Sequence, residues 1–282
     1  MKVVATLTTR NKYHKNLSKT LNSLTSQFDV VYLGLPYKNI KGEDYPKFEH
    51  PGVEIVRLDE DIGSASKLLG ALLREARDPN TLIVSVDDDH TYNPNLRKLF
   101  EEERKKDIEK GLTRVLTQAG VYIKYWNFGI YGLNGVGHDR DYTFDYNSNP
   151  ELTTIAGVCG VAYPANIFLE TEDYINFIKK YFDDKVLFRN DDVLISAYIS
   201  KLGIKKVKIS KTLKDFGVEN KEEGNEKISP NLEEVFGACK KLENLFIKEN
   251  KFKVFSLTFF DIIITFLIIL VIILTRLKSK TN

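Results

Sequence analysis

The chain has 282 residues, 43% of them hydrophobic and 28% charged. That is enough apolar mass for one large domain or two small ones with a real core, and it excludes a disordered chain of low hydrophobicity. The formal charge of +2 is near balance, and Lys and Arg are scattered without interleaved aromatics, so there is no electrostatic ground for a nucleic-acid partner.

The N-terminus, MKVVATLTTR, carries too short an apolar run for a signal peptide and predicts a first strand over residues 2–7. Leu17, Leu21, Leu24 and Phe28 then recur at helical spacing. Strands are expected at 30–35 (VVYLGL) and 53–58 (VEIVRL). A helix is expected over 64–77, with Leu68, Leu69, Leu72 and Leu73 on one face. A fourth strand follows at 81–86 (TLIVSV), and three aspartates, Asp87, Asp88 and Asp89, stand at its end. Asn93 is placed to cap the next helix, with Pro94 at its first position.

This alternation predicts an α/β fold with an open mixed sheet flanked by helices. In such sheets ligands bind beyond the carboxyl ends of the strands. The segments Thr8-Thr9-Arg10, 59–63 and Asp87-Asp88-Asp89 all follow strands. They should converge on one rim.

Residues 120–154 are rich in Tyr, Gly, Asn and Asp and read as irregular loops over that rim. Residues 211–230 are charge-rich and read as a loop or lid. A helix over 231–253 leads into residues 255–275, FSLTFFDIIITFLIILVIILT, whose single charge is Asp261. A run this long and apolar all round suits a bilayer. Lysines stand on both sides of it, so the positive-inside rule sets no orientation. A late anchor without a signal peptide places the preceding domain on the cytosolic side. Expected units are a catalytic domain at 1–210, a charged loop and helix at 211–253, a transmembrane helix at 254–276 and a basic tail at 277–282. Cys159 and Cys239 fit no CxxC or zinc spacing and read as reduced thiols.

Four stretches could carry chemistry, and each also has an ordinary structural explanation. Asp87 and Asp89 would share one side if strand geometry persisted, giving two carboxylates for a hard divalent cation and a substrate's phosphates. Alternatively they are a solvated turn. Gly63, Ser64 and Ala65 allow close approach at a helix N-terminus that favours anions, and Lys67 lies one turn in. An ordinary capped helix would look the same. Asn190 followed by Asp191 and Asp192 makes a good helix start, with acids where the dipole favours them. One of those acids could instead face the cleft as a general base. Residues 155–164, IAGVCGVAYP, either pass close to a bound molecule or pack tightly as a strand.

In their order these stretches resemble the GT-A fold glycosyltransferases, especially family-2-like viral and microbial members. The matching motifs are Leu7-Thr8-Thr9-Arg10, Asp61 through Lys67-Leu68, Asp87-Asp88-Asp89, Gly157 through Tyr163, and Asp191-Asp192-Val193-Leu194-Ile195-Ser196. They span residues 1 to about 210. The resemblance implies a Rossmann-like GT-A sheet, a nucleotide-sugar donor and Mn²⁺ or Mg²⁺ held by Asp87 and Asp89. It implies donor contacts from Thr8, Arg10, Asp61, Gly63, Lys67, Asp87 and Asp88. Asp192, with Asp191 second, would deprotonate the acceptor hydroxyl, and Gly157, Gly160 and Tyr163 would floor the acceptor side. In-line attack implies inversion at the anomeric carbon. A glycan, a lipid-linked sugar or a protein hydroxyl would serve as acceptor.

Two family features are missing. No histidine follows His138, so Asp215 or waters would complete the metal shell. The Q-x-x-R-W motif of processive synthases is absent, and the single tryptophan is Trp126. His90 reads as a helix-start residue rather than a ligand. Two other functions suit the same pattern: a sugar-phosphate nucleotidyltransferase, and a non-catalytic, membrane-tethered glycan-binding protein. The first usually has a glycine-rich loop after its first strand, and here residues 8–12 contain no glycine.

Overall fold

The computed structural model describes residues 1–10, 17–121, 151–209, 211–219, 232–242 and 245–246. The chain opens with strand β1 (Lys2–Thr8), helix α1 (Leu17–Thr25), strand β2 (Val30–Pro36) and strand β3 (Val53–Leu58). A 3₁₀ segment, Gly63–Leu68, runs directly into helix α2 (Leu69–Glu75). Strands β4 (Thr81–Ser85) and β5 (His90–Tyr92) bracket the acidic triplet, and helix α3 (Leu96–Glu109) follows. Next come β6 (Arg114–Thr117), β7 (Gly120–Val121), β8 (Thr154–Ile155) and β9 (Val161–Pro164). The remaining elements are α4 (Thr171–Lys179), α5 (Lys185–Phe188), α6 (Asp191–Lys201), β10 (Lys205–Lys208), β11 (Gly217–Glu219) and α7 (Leu232–Lys241).

The central sheet has seven strands in the order β10-β6-β9-β4-β1-β2-β3. β1 pairs in parallel with both β2 and β4, β2 with β3, and β10 with β6. Only β9 runs against its two neighbours, β4 and β6. The expected mixed α/β sheet flanked by helices is therefore present.

Strand alternation divides the core into two layers. In β1, Val3, Ala5 and Leu7 join α1 and α3 on one face, while Val4 joins α2, α4 and α6 on the other. α6 is buried along Val193–Ser200, because other elements pack around its whole circumference. Ala238, Cys239, Leu242 and Phe246 add the C-terminal described residues to this second layer. Phe168 lies at its centre. It is fully buried, stacked on Tyr198 and edge-on to Tyr174. Phe168→Ala should cost about 3–5 kcal/mol, read as a lowered urea midpoint at unchanged slope.

Several local expectations need correction. The 64–77 helix begins as 3₁₀, and Leu73 is 46% exposed instead of sharing the buried face. Asn93 does not cap α3. Its carboxamide oxygen accepts from the Asn95 N–H, in a turn before the helix starts at Leu96. Asn190 makes no side-chain cap either, and its amide donates to the Val186 carbonyl. His90 belongs to a strand, not to a helix start. No helix of the described residues is long and apolar enough to cross a membrane. The expected span at 255–275 lies outside the described residues, as do most of the 120–154 loops and residues 220–230 of the charged stretch.

Candidate active site

β4 and β1 end side by side, and the 3₁₀ segment and the first turn of α6 come to the same rim. The acidic triplet leaves β4 as a turn, so strand geometry does not carry through it. The three carboxylates consequently find three separate partners. Asp87 Oδ1 accepts from Lys67 Nζ at 2.8 Å. Asp88 accepts a short hydrogen bond from the Thr9 hydroxyl, while its carbonyl accepts from Thr20 Oγ1 at 3.0 Å. Asp89 Oδ1 lies 2.6 Å from His90 Nδ1. The like-charge repulsion that the sequence raises is relieved by divergence.

Lys67 is the centre of the site. Its Nζ is also 2.7 Å from Asp191 Oδ2 and 3.6 Å from Asp192 Oδ1. Three carboxylates from two distant segments surround one ammonium. Burial alone would lower the lysine's pKa, but the charges of Asp191, Asp87 and Asp192 outweigh it and hold the pKa well above the ordinary value. Asp192 shifts upward too, which for a carboxyl favours the neutral form. Burial, opposed by Lys67 and reinforced by Asp191 and Asp87, pushes its carboxyl up to about 7. The Gly157 N–H donates to Asp192 Oδ2 at 2.7 Å. A side chain at 157 would collide with this arrangement, since its Cβ would sit 2.7 Å from Asp192 Oδ1 and 2.9 Å from Lys67 Nζ. Cys159, on the same 3₁₀ turn, is kept a neutral thiol by burial and by Asp87 and Asp192, with its pKa raised to about 12.

The structure brings Lys67, Asp87, Gly157, Asp191 and Asp192 together. Other expected residues lie around them or below. Thr8 uses its hydroxyl on the Gly34 carbonyl at 2.8 Å, and Arg10 is exposed on the loop after β1. Asp61 binds backbone, accepting from the Gly63 N–H at 2.8 Å and the Ile40 N–H at 3.2 Å, and it staples the loop after β2 to the start of the 3₁₀ segment. Burial raises its pKa against the pull of those two amides. Gly63 needs its positive φ of 67°, and the Phe188 ring fills the space a side chain would take. Gly160 faces α3 through Phe100 and Leu96 instead of facing the acids. Tyr163 is fully buried against Phe168, so its ring lies beneath any floor and cannot form one. Asp215 is exposed, and its backbone carbonyl accepts from the Asn93 amide at 2.9 Å.

Three contributors carry no site role in the sequence reading: Thr9, named only as part of its motif, His90, read as a helix-start residue, and Tyr92. Thr9 holds Asp88. Tyr92, fully buried, accepts the Asp87 N–H at 2.8 Å, and burial beside Asp87 raises its phenol pKa. His90 steadies Asp89 and packs near Tyr92 and Phe216, with ring centroids 6.0 and 5.8 Å away. Their signal is position alone, since Thr9 lies within a motif and His90 and Tyr92 follow the acidic triplet.

A divalent cation can be tested against this donor set. Asp87 and Asp89 have side chains 31% and 41% exposed, two residues apart on the rim. Among the described residues no group of three or more His, Cys, Asp or Glu is placed to hold a metal. The set does not fit an ion caged by protein. Two part-exposed carboxylates could serve only a hard cation that keeps most of its waters and takes its remaining ligands from a substrate's phosphates.

No family model matches the chain, and no curated protein matches it. Among solved structures, S. aureus TarS 1–349 in complex with UDP-GlcNAc superposes with a TM-score of 0.49 at 15% identity, over 87% of this chain and 66% of that one. S. aureus TarS 1–349 gives a TM-score of 0.40 at 17% identity, over 75% of this chain and 59% of that one. The chain thus spans less than two thirds of each. Likeness at this level fixes no activity.

Proposed function

We propose that the protein is a metal-dependent glycosyltransferase that moves a sugar from a nucleotide-diphosphate donor to an acceptor hydroxyl with inversion. One observation carries this reading above the others. Asp192 is 34% exposed at its side chain, yet Oδ2 is hydrogen-bonded by the Gly157 N–H and Oδ1 stands at ion-pair distance from Lys67. A carboxylate anchored at one oxygen by a backbone amide, part-exposed and with its pKa pushed up to about 7 is suited to removing a hydroxyl proton. Asp191 is less exposed, at 18%, and engages Lys67 directly, which suits it to support its neighbour. Across the lysine lies the acidic end of β4, where Asp87 and Asp89 would hold Mn²⁺ or Mg²⁺. Such an ion, when bound, offsets the charge that develops on a departing diphosphate.

The placement of these groups supports a division of labour. The turn after β4 receives the donor's diphosphate. The α6 carboxylate works from the other side of the sugar, so attack and departure oppose each other and the anomeric centre inverts. We further propose that residues 255–275 anchor the enzyme in a membrane with the catalytic domain facing the cytosol. The length and low charge of that run support this, and it would bring lipid-linked or membrane-bound acceptors within reach.

The test is a panel of UDP- and GDP-sugars with Mn²⁺, scored by thermal shift and by release of the nucleoside diphosphate. At least one donor should stabilise the protein and be consumed. If none does either, the reading fails. Pyrophosphate release from a nucleoside triphosphate plus a sugar phosphate would replace it with nucleotidyl transfer.

A further inference from the structure

We infer that Lys67 is a positioning residue for the general base and does not bind the donor's phosphates; this rests on the sugar-transfer reading proposed above. The motif order alone suggests a phosphate role, because the lysine sits one turn into a segment whose N-terminus favours anions. The structure turns its side chain the other way. Only 7% of that side chain is exposed. Asp87 and Asp191 take its ammonium at 2.8 and 2.7 Å, and Asp192 stands at ion-pair distance, 3.6 Å. Its backbone is fixed as well, since the Lys67 carbonyl accepts from the buried Thr6 hydroxyl at 2.7 Å.

A phosphate oxygen arriving at this nitrogen would have to displace a carboxylate already in contact. It would also bring negative charge to the point where three carboxylates converge, which like-charge repulsion opposes. The lysine is already fully used as an internal counterion. What it does is mechanical and electrostatic. It ties the end of β4 to the first turn of α6, and it orients the Asp192 carboxylate by charge at Oδ1 while the Gly157 N–H hydrogen-bonds Oδ2. Preorganisation of this kind acts on turnover more than on ground-state binding.

The experiment compares Lys67→Met and the charge-compensated Lys67→Met/Asp191→Asn with wild type, using the nucleotide sugar that wild type consumes fastest. Donor affinity is measured by calorimetry and turnover by nucleoside diphosphate release. The expected result is a fall in kcat of about 100-fold with donor affinity changed less than about threefold. The double variant removes one carboxylate together with the ammonium and should show the same split even where the single variant is too unstable to measure. Donor affinity falling in step with kcat/KM in either variant would place Lys67 on the donor and overturn the inference. Failure of both variants to fold would mark it as purely structural and overturn it too. Failure of the sugar-transfer reading looks different: wild type itself would bind and consume no donor.

Discussion

Asp192→Asn is expected to lower kcat by about 10²- to 10⁴-fold while leaving donor affinity within a few-fold, because a general base acts on the transition state and the proposed diphosphate site lies on the far side of Lys67. Asparagine keeps the shape and can still accept the Gly157 N–H. The loss would therefore report proton removal and not collapse of the site. The pH dependence should agree. Burial pushes the Asp192 carboxyl up to about 7, so at pH 5 it is mostly protonated and idle, and kcat/KM should climb with pH to a plateau above 8. Its stability signature runs the other way. A carboxyl whose folded pKa lies above the unfolded value of 3.8 binds its proton more tightly when folded. Its contribution to stability is greatest in acid and declines as pH rises from about 4 to 7. Asp192→Asn removes that decline and should leave the protein at least as stable as wild type at pH 8, while Asp87 and Asp191 still satisfy the lysine. A variant that is inactive but not destabilised is the signature of a residue kept for function at a cost to folding.

Gly157→Ala is the second large effect expected. The added methyl would sit 2.7 Å from Asp192 Oδ1 and 2.9 Å from Lys67 Nζ, closer than van der Waals contact permits. The neighbours must move, and the groups that can move are the ones argued to do the chemistry. A displacement near 1 Å can cost about 100-fold in rate, so kcat should fall by roughly that factor. The fold should survive, since Gly157 lies on a short 3₁₀ turn with no positive φ. The check is kcat beside near-UV circular dichroism. Turnover within about twofold of wild type would show that Gly157 does not set the base.

Much of the sheet was legible because strand signals are local. VVYLGL and VEIVRL alternate or run apolar between turn residues, and both became strands at the expected places. What failed locally were caps and phases. Asn93 and Asn190 have ideal cap chemistry, yet each spends its side chain on a nearby backbone group. Neither choice is visible without the turn geometry. The 3₁₀ start of the 64–77 helix is a tertiary matter. The Thr6 hydroxyl bonds the Lys67 carbonyl and the Phe188 ring lies against Gly63, and both contacts join residues far apart in sequence.

At the site, residue identity was readable but relationship was not. Asp87, Asp191, Asp192, Gly157 and Lys67 were all singled out as candidates. Sequence spacing could not show that the lysine would turn away from a phosphate and into the acids, because that depends on α6 and β4 ending at one point. Tyr163 shows the opposite limit. It sits at a motif position, but strand alternation in β9 sends its ring into the core against Phe168.

The most direct measurement is a crystal structure of the protein soaked with Mn²⁺ and the nucleoside diphosphate of its best donor. Density for the diphosphate is expected beside Asp87 and Asp89, with Lys67 still on its aspartates and Asp192 facing the vacated sugar position. Nucleotide bound elsewhere, on the far side of the sheet or against Lys67 with the aspartates turned out, would contradict the account.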